Sequence, residues 1–190
     1  MPEPSGKKTV IVIVGMPGAG KSLASSTLKD RGLPIFVSGD IIRAEARRRG
    51  LKFTRKNLGE LMVKIRREDG MGAVAKRLIP LVAEAHGPVV VYEGARSIEE
   101  VEELRRKYQV VTLAIHASAE ARFRRLQRRR RSDQPRNWSD FAERDNRELS
   151  VGVGKLIALA DRTVENEDSK EDLKRRTRRL LNTIISTKKS

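Results

Sequence analysis

Short runs typical of β-strands alternate along the chain with longer stretches in which apolar residues return every three or four positions. The runs predict five strands, at residues 10–14, 35–37, 89–92, 110–115 and 163–165. The longer stretches predict amphipathic helices between them. Strands that alternate with helices are typical of βαβ units, in which helices cover both faces of a parallel sheet. We therefore expect a three-layer α/β fold with a five-stranded parallel sheet.

Two segments depart from this alternation. Residues 40–75 and 122–150 are strongly basic and predicted to be helical, without a strand of their own. The simplest arrangement makes them helical insertions in a single domain that spans residues 1–190, since a chain of this length needs no second core.

The segment directly after the first predicted strand carries the clearest chemical signal. Residues 15–22 match the pattern G-x-x-x-x-G-K-[ST], a phosphate-binding loop that opens a helix; an incidental turn is the alternative. Its glycines permit positive φ angles, so that successive N–H groups can surround phosphate. Lys21 is placed to reach the β- and γ-phosphates and Ser22 to bind Mg²⁺. The expected ATP-binding residues of this segment are Gly15, Met16, Pro17, Gly18, Ala19, Gly20, Lys21, Ser22 and Leu23.

Charge is the most unusual feature of the composition. The chain has 41 basic and 25 acidic residues, a formal net charge of +16, and 35% of its residues are charged. This balance fits a heat-adapted surface rich in ion pairs together with a polyphosphate site, and it also fits a nucleic-acid partner. We favour the first interpretation because only 4% of the residues are aromatic, and no basic stretch is interleaved with side chains that stack on bases.

Other kinds of site and location are disfavoured by what the sequence lacks. It contains no cysteine and two histidines, so neither a thiolate nor a histidine-rich metal site is expected. No apolar stretch approaches the ~20 residues of a membrane span, and residues 1–8 lack the apolar centre of a signal peptide. We expect a cytoplasmic protein, monomeric or homodimeric, with no membrane partner.

The second predicted strand leads into residues 37–45, which read Val-Ser-Gly-Asp-Ile-Ile-Arg-Ala-Glu. This segment resembles the one in adenylate kinase and other nucleoside monophosphate kinases where a Gly-Asp pair opens a helix and an arginine holds the acceptor's phosphate. The resemblance implies that Arg43 binds the acceptor phosphate; a solvated helix arginine is the alternative. Asp40 would either orient an acceptor hydroxyl, as a catalytic and acceptor-binding residue, or cap its helix.

The third predicted strand ends in Tyr-Glu-Gly-Ala-Arg at residues 92–96. It is similar to the Asp-Gly-x-Pro-Arg segment of adenylate kinases, although the proline is missing and the carboxylate, Glu93, is one methylene longer. The resemblance implies that Glu93 is a catalytic residue that helps to hold hydrated Mg²⁺, and that Arg96 contacts the acceptor phosphate. A carboxylate at the carboxyl end of a buried parallel strand also lies where open α/β sheets bind ligands. A purely structural Glu93 is therefore the less favoured alternative.

Arginine is concentrated in the second insertion, where seven of the ten residues at 122–131 are arginine. In nucleoside monophosphate kinases a short lid at this point brings arginines over the donor phosphates, where they stabilise charge during transfer. The resemblance implies that Arg128, Arg131 and Arg144 are catalytic. It implies further that Arg147 binds the acceptor. Most of the other arginines are expected to form a solvated basic face.

Asn166 follows the last predicted strand, in a segment at 158–169 that resembles the C-terminal strand and turn of dephospho-CoA kinase. In that fold the turn lies near the donor adenine. Asn166 is therefore a candidate ATP-binding residue, and an ordinary turn asparagine is an equal alternative.

Nearly the whole chain resembles one group, the thermophilic archaeal kinases described as adenylate-kinase-related or dephospho-CoA-kinase-like, and residues 131–150 are especially similar. The resemblance implies a P-loop NTPase fold with strand order 2-3-1-4-5, an acceptor-binding insertion at 40–75 and an Arg-rich lid at 122–150. It also implies a kinase that uses ATP and Mg²⁺ to phosphorylate a small phosphorylated acceptor, a nucleotide or nucleotide-containing metabolite. There are two alternatives. One is a regulatory NTPase that hydrolyses nucleotide, and the other is a nucleic-acid-associated P-loop NTPase or polynucleotide-kinase-like protein.

Overall fold

A single parallel sheet forms the centre of the computed structural model, which describes residues 7–129 and 134–186. Its strands are β1 (Thr9–Val14), β2 (Ile35–Val37), β3 (Val89–Glu93), β4 (Gln109–His116) and β5 (Arg162–Glu165). They are arranged in the order β2-β3-β1-β4-β5, and all neighbours are parallel. The predicted strand order is confirmed, and the ends of each strand lie within one residue of those predicted.

The helices fill the connections between these strands. They are α1 (Lys21–Lys29), α2 (Ser38–Arg48), α3 (Arg55–Asp69), α4 (Ala73–Glu84), α5 (Ile98–Arg105), α6 (Ala119–Arg128), α7 (Trp138–Val151), α8 (Val153–Ala158) and α9 (Lys170–Ser186). Within the described ranges, none of them has both the length and the apolar composition that a membrane crossing requires.

The central strand β1 explains why the sheet is covered on both faces. All six of its residues are buried, as expected for a parallel strand whose sequence is a continuous apolar run. Val10, Val12 and Val14 pack into the core cluster beneath α2, α3, α4, α5 and α8. Ile11 and Ile13 pack into the second cluster, with α1 and α9. The result is the expected three-layer α/β fold.

The parallel arrangement of the strands brings the candidate site residues to one edge of the sheet. Ile13 near the end of β1 is in register with Glu93 at the end of β3, and Glu93 is in register with Val37 at the end of β2. The segments that follow these three strands therefore begin side by side, at the edge where ligands of open α/β sheets bind.

Buried ion pairs fix the helices between β2 and β3 to this core. Glu45 of α2 accepts a hydrogen bond of 3.3 Å from Arg77 of α4. Arg66 of α3 donates to one oxygen of the fully buried Glu100 carboxylate (2.8 Å), and the hydroxyl of Tyr92 in β3 donates to the other (2.6 Å). Such buried charges are tolerated because each is paired and hydrogen-bonded. They hold α3 beside the sheet edge.

The two segments predicted to be insertions consist mainly of helices. Residues 40–75 contain most of α2, all of α3 and the start of α4, and residues 122–150 contain most of α6 and all but the last residue of α7. Their roles as an acceptor-binding insertion and a lid stay predictions.

Candidate functional site

The loop at residues 15–22 joins the end of β1 to the first residues of α1. Its backbone requires glycine where it closely approaches other segments, as Gly15 and Gly20 show. Gly15 and Gly20 have positive φ angles of 152° and 109°. A Cβ atom at Gly15 would collide with the carbonyl oxygen of Ile115, and one at Gly20 would collide with the side chain of Asn166. The loop is thus packed tightly against β4 and the turn after β5, with its N–H groups at the N-terminus of a helix that favours anions.

Lys21 interacts with the loop itself. Its Nζ donates hydrogen bonds to the carbonyl oxygens of Gly15 (2.8 Å) and Met16 (3.1 Å). Burial lowers the pKa of Lys21 to about 8, the charge of Glu148 opposes this shift, and the charge of Arg96 adds to it. The ammonium group is therefore mostly charged at neutral pH, although its charged form is less stable here than in water. A nearby phosphate would stabilise that charged form.

Glu93 is the centre of a small group of oxygen atoms beside the loop. Its buried carboxylate accepts a hydrogen bond from Ser22 Oγ (2.7 Å) at one oxygen and from Ser25 Oγ (2.5 Å) at the other. Hydroxyl and carboxylate oxygens are the ligands that Mg²⁺ prefers, and Mg²⁺ is commonly bound by one or two protein groups together with phosphate oxygens. The residues present therefore fit Mg²⁺. Ser25 was not predicted from sequence, although its position three residues after Ser22 puts both hydroxyls on one helix face.

A cavity of about 140 Å³ opens at the loop, and we call it the phosphate cavity. It is far smaller than the roughly 300–1,000 Å³ of sites that enclose a whole ligand, so it suits the phosphate end of one. Four cationic side chains and one carboxylate contribute to its wall. The cavity is lined by Gly15, Pro17, Gly18, Lys21, Gly94, Ala95, Arg96, Leu126, Arg129, Gln134, Arg144, Glu148 and Val153.

A second and larger cavity, of about 1680 Å³, lies between α3 and the C-terminal half of α7, and we call it the α3–α7 groove. Its wall combines aliphatic side chains with seven basic and two acidic ones. Arg96, Arg144 and Glu148 also line the phosphate cavity, so the two spaces meet at these three residues. The groove is lined by Arg49, Leu51, Lys56, Asn57, Leu58, Gly59, Glu60, Leu61, Met62, Val63, Lys64, Arg67, Arg96, Arg144, Arg147, Glu148, Ser150 and Val151.

Arg96 and Glu148 form an ion pair at this junction. Arg96 Nε lies 2.7 Å from Glu148 Oε2, and Arg96 Nη2 donates to Glu148 Oε1 at 3.2 Å. The remaining nitrogen, Nη1, contacts the sulfur of Met62 at 2.8 Å. The pairing is the two-point contact of a guanidinium fork with a carboxylate, which also serves to bind phosphate. Glu148 was not among the residues predicted from sequence.

Arg122 connects the loop to both helices of the predicted lid. Its guanidinium donates two hydrogen bonds to Asp145 of α7 (2.9 and 2.6 Å) and one to the carbonyl oxygen of Pro17 (3.2 Å). It also lies 4.9 Å from the ring centre of Phe141, a cation–π contact. Arg122 is an exception to the solvated face expected of most arginines in this segment, because its side chain is only 6% exposed.

Several predicted residues lie at the two cavities, and others do not. Arg96 and Arg144 line both cavities, and Arg147 lines the α3–α7 groove, where it pairs with Glu143 at 3.5 Å. Arg128 is exposed at the end of α6, and the next residue, Arg129, lines the phosphate cavity instead. Arg131 lies outside the described residues.

The structure places the remaining candidates as follows. Asp40 and Arg43 form an ion pair with each other on α2, with side chains 65% and 47% exposed, and neither lines the two cavities. The alternative that Asp40 caps its helix is wrong, because α2 begins at Ser38 with Val37 in the capping position. Asn166 is buried, and its side-chain amide donates to the carbonyl oxygen of Ala19 (2.7 Å), so in this structure it supports the loop.

Comparison with known proteins agrees with this architecture. Residues 14–142 match the family model described as AAA domain. A UPF0200 protein of Hyperthermus butylicus is 41% identical over 93% of this chain and 95% of its own length, and UPF0200 protein PF1294 of Pyrococcus furiosus is 42% identical over 94% and 99%. The homologues are proteins of thermophilic archaea, as is the group that the sequence resembles.

Solved structures with the same fold include small-molecule kinases. Shikimate kinase from Bacteroides thetaiotaomicron aligns with a TM-score of 0.65 and 19% identity, over 92% of this chain and 98% of that one. A gluconokinase from Sinorhizobium meliloti aligns with a TM-score of 0.56 and 14% identity, over 96% and 99%. At these identities the likeness shows the fold alone. The kinase-like P-loop fold is confirmed, while the closer resemblance to adenylate or dephospho-CoA kinases stays a prediction.

Proposed function

Since the chain belongs to the UPF0200 family and has a kinase-like P-loop fold, we propose that it is a phosphotransferase that moves the γ-phosphoryl group of ATP to a small anionic acceptor. The observation that carries the proposal is the meeting of two cavities at Arg96, Arg144 and Glu148. One has the phosphate loop in its wall, and the other is large enough for a second substrate.

The donor side would be formed by the loop. Its N–H groups and Lys21 would bind the β- and γ-phosphates, with the ammonium group leaving the carbonyl oxygens of Gly15 and Met16 to do so. Ser22 and Glu93 would hold Mg²⁺, which neutralises charge on the phosphates when bound. Ser25 holds the Glu93 carboxylate in place from the other side.

The acceptor side would be the α3–α7 groove. Seven basic side chains against two acidic ones attract an anion, and the aliphatic residues between them suit the uncharged body of a small molecule. Arg96 and Arg147 would bind the acceptor's negative group, as expected from sequence. The acceptor roles proposed for Asp40 and Arg43 require their mutual ion pair to open.

Transfer in such a site depends on position and charge more than on covalent chemistry. The groups named above would hold donor and acceptor in line, which removes much of the entropic barrier. Arg144 borders both cavities and is the arginine best placed to stabilise charge on the group in transit. One such arginine is worth on the order of 10³–10⁵ in rate.

The test is a search for a phosphorylated product. Purified protein is incubated with Mg²⁺, ATP labelled at the γ-phosphate and a panel of acceptors. The panel contains nucleoside monophosphates, dephospho-CoA, shikimate, gluconate and oligonucleotides. The proposal expects transfer to at least one small anion, lost in Lys21→Ala. ATP consumption that no acceptor stimulates would contradict it in favour of a regulatory NTPase.

The nucleic-acid alternative has its own signature in the same panel. Transfer to oligonucleotides alone, with binding that weakens steeply as salt is raised, would favour a polynucleotide-kinase-like protein. Transfer confined to small acceptors would exclude it. The net charge of +16 is compatible with both.

A further inference from the structure

The carboxylate of Glu148 lies where a bound anion would be expected. Arg96 is the arginine at the junction of the two cavities, and its fork is filled by Glu148 at 2.7 and 3.2 Å. A carboxylate or phosphate of a ligand would contact the same two nitrogens with the same geometry. The free protein therefore presents Arg96 already bound to an anion of its own.

The surroundings of Glu148 are otherwise cationic. Among the described residues that line the phosphate cavity, it is the one carboxylate, facing Lys21, Arg96, Arg129 and Arg144. If Glu148 stayed in place when an anionic acceptor bound, the two negative groups would lie side by side. Both would also lie next to the donor's phosphates. Exchange of one anion for the other avoids this repulsion and leaves the cationic groups balanced.

A second ion pair on the same helix shows how Glu148 differs from a structural carboxylate. Asp145 lies one turn earlier on α7 and binds Arg122, and their side chains are 13% and 6% exposed. Arg122 is also fixed by the carbonyl oxygens of Pro17 and Ala117. The Glu148 and Arg96 side chains are 16% and 28% exposed and border both cavities. The first pair is positioned to hold α7, and the second is accessible to a ligand.

The backbone after Glu148 turns beside Arg96. Helix α7 ends at Val151, and Gly152 adopts a φ of 108° between α7 and α8. A Cβ atom at Gly152 would lie 3.7 Å from the carbonyl oxygen of Arg96. The end of α7 thus adjoins the residue that Glu148 binds.

On the basis of the function proposed above, we propose that Glu148 occupies the place on Arg96 that the acceptor's negative group takes during the reaction. Glu148 is then a specificity-determining residue. An acceptor that carries a carboxylate or phosphate displaces it and gains the Arg96 fork, whereas a neutral acceptor leaves the ion pair closed. The acceptor class is accordingly anionic, and its negative group binds within reach of the donor's phosphates.

The test measures the binding of inorganic phosphate by calorimetry, with the loop saturated by Mg²⁺ and a non-hydrolysable ATP analogue. Glu148→Gln keeps the shape of the side chain and removes its charge, so phosphate should bind about tenfold more tightly than to the unchanged protein. The matched control is Glu120→Gln, which removes the same charge from an exposed ion pair with Arg124 on α6. Neither residue lines the two cavities, so the phosphate affinity should change less than twofold. Arg96→Gln in the Glu148→Gln background should abolish the gain.

Equal or weaker phosphate binding by Glu148→Gln would overturn the proposal, as would the absence of phosphate binding in both proteins. A thermal melt of each variant shows that it is folded. With the acceptor found by the transfer panel, Glu148→Gln should lower the acceptor KM by a larger factor than it changes the ATP KM. If the ATP analogue itself fails to bind the unchanged protein, the proposed function is what fails. If the ATP analogue binds but Glu148→Gln leaves the phosphate affinity unaltered, only the role proposed for Glu148 is wrong.

Discussion

Raising the pH should weaken nucleotide binding through Lys21. Burial lowers the pKa of its ammonium group to about 8 in the free protein. Bound phosphates favour the charged form, so the pKa rises when nucleotide binds. The nucleotide therefore binds the protonated protein more tightly, and its affinity falls as Lys21 loses its proton.

The size of the effect follows from the fraction of Lys21 that is protonated. At pH 7.5 it is about three quarters, and at pH 9.5 about 3%. If the ammonium form alone binds phosphate tightly, the apparent Kd rises about 25-fold over this interval. Phosphate groups, with a pKa of about 6, stay ionised throughout, so the change belongs to the protein.

The assay is calorimetric titration with a non-hydrolysable ATP analogue without Mg²⁺, in pairs of buffers that differ in ionisation enthalpy. At pH 8 binding should take up about half a proton, because about half of Lys21 starts neutral. The control is Lys21→Arg, whose guanidinium does not titrate in this range, so its affinity should stay nearly constant. A pH-independent affinity in the unchanged protein, or proton release, would show that protonation of Lys21 does not control nucleotide binding.

Three other expectations concern the residues around the loop. Ser22→Ala removes a hydroxyl proposed to bind Mg²⁺ and should raise the Mg²⁺ concentration needed for transfer at least tenfold. Ser25→Ala should raise this concentration less, because Ser25 contacts Glu93 from outside the loop. Equal effects of the two substitutions would assign both hydroxyls to the metal. Asp145→Asn leaves a buried guanidinium unpaired and should lower the free energy of unfolding by about 3 kcal/mol in urea titrations, whereas a change below 1 kcal/mol would mean that the site admits water. Arg96→Ala should raise the acceptor KM more than the ATP KM, and the reverse order would exchange the two sites.

The fold could be predicted because its signal is local. The inner strands β1, β3 and β4 are dominated by apolar residues, because a parallel strand inside a sheet is buried on both faces. The edge strand β5 reads Arg-Thr-Val-Glu, and of its four residues Val164 is the buried one. The loop at 15–22 and Glu93 could also be predicted, since a motif or the end of a strand defines their place at the sheet edge.

The partners within the site could not be predicted, since they depend on contacts between distant segments. Glu148 binds Arg96 across 52 positions, and Arg122 reaches Pro17 across 105. In the sequence these residues look like any other charges on basic helices. Arg128 and Arg129 show why a sequence prediction can miss by one position. Neighbouring side chains on a helix point in directions that differ by ~100°, so only one of the two faces the phosphate cavity.

The most direct test of the account is a crystal structure with Mg²⁺ and a non-hydrolysable ATP analogue. We expect the β- and γ-phosphates within hydrogen-bonding distance of the N–H groups of residues 15–22. Lys21 Nζ should have moved from the carbonyl oxygens of Gly15 and Met16, now 2.8 and 3.1 Å away, to the phosphate oxygens. A nucleotide bound elsewhere, with Lys21 still on those two carbonyl groups, would contradict the proposed function.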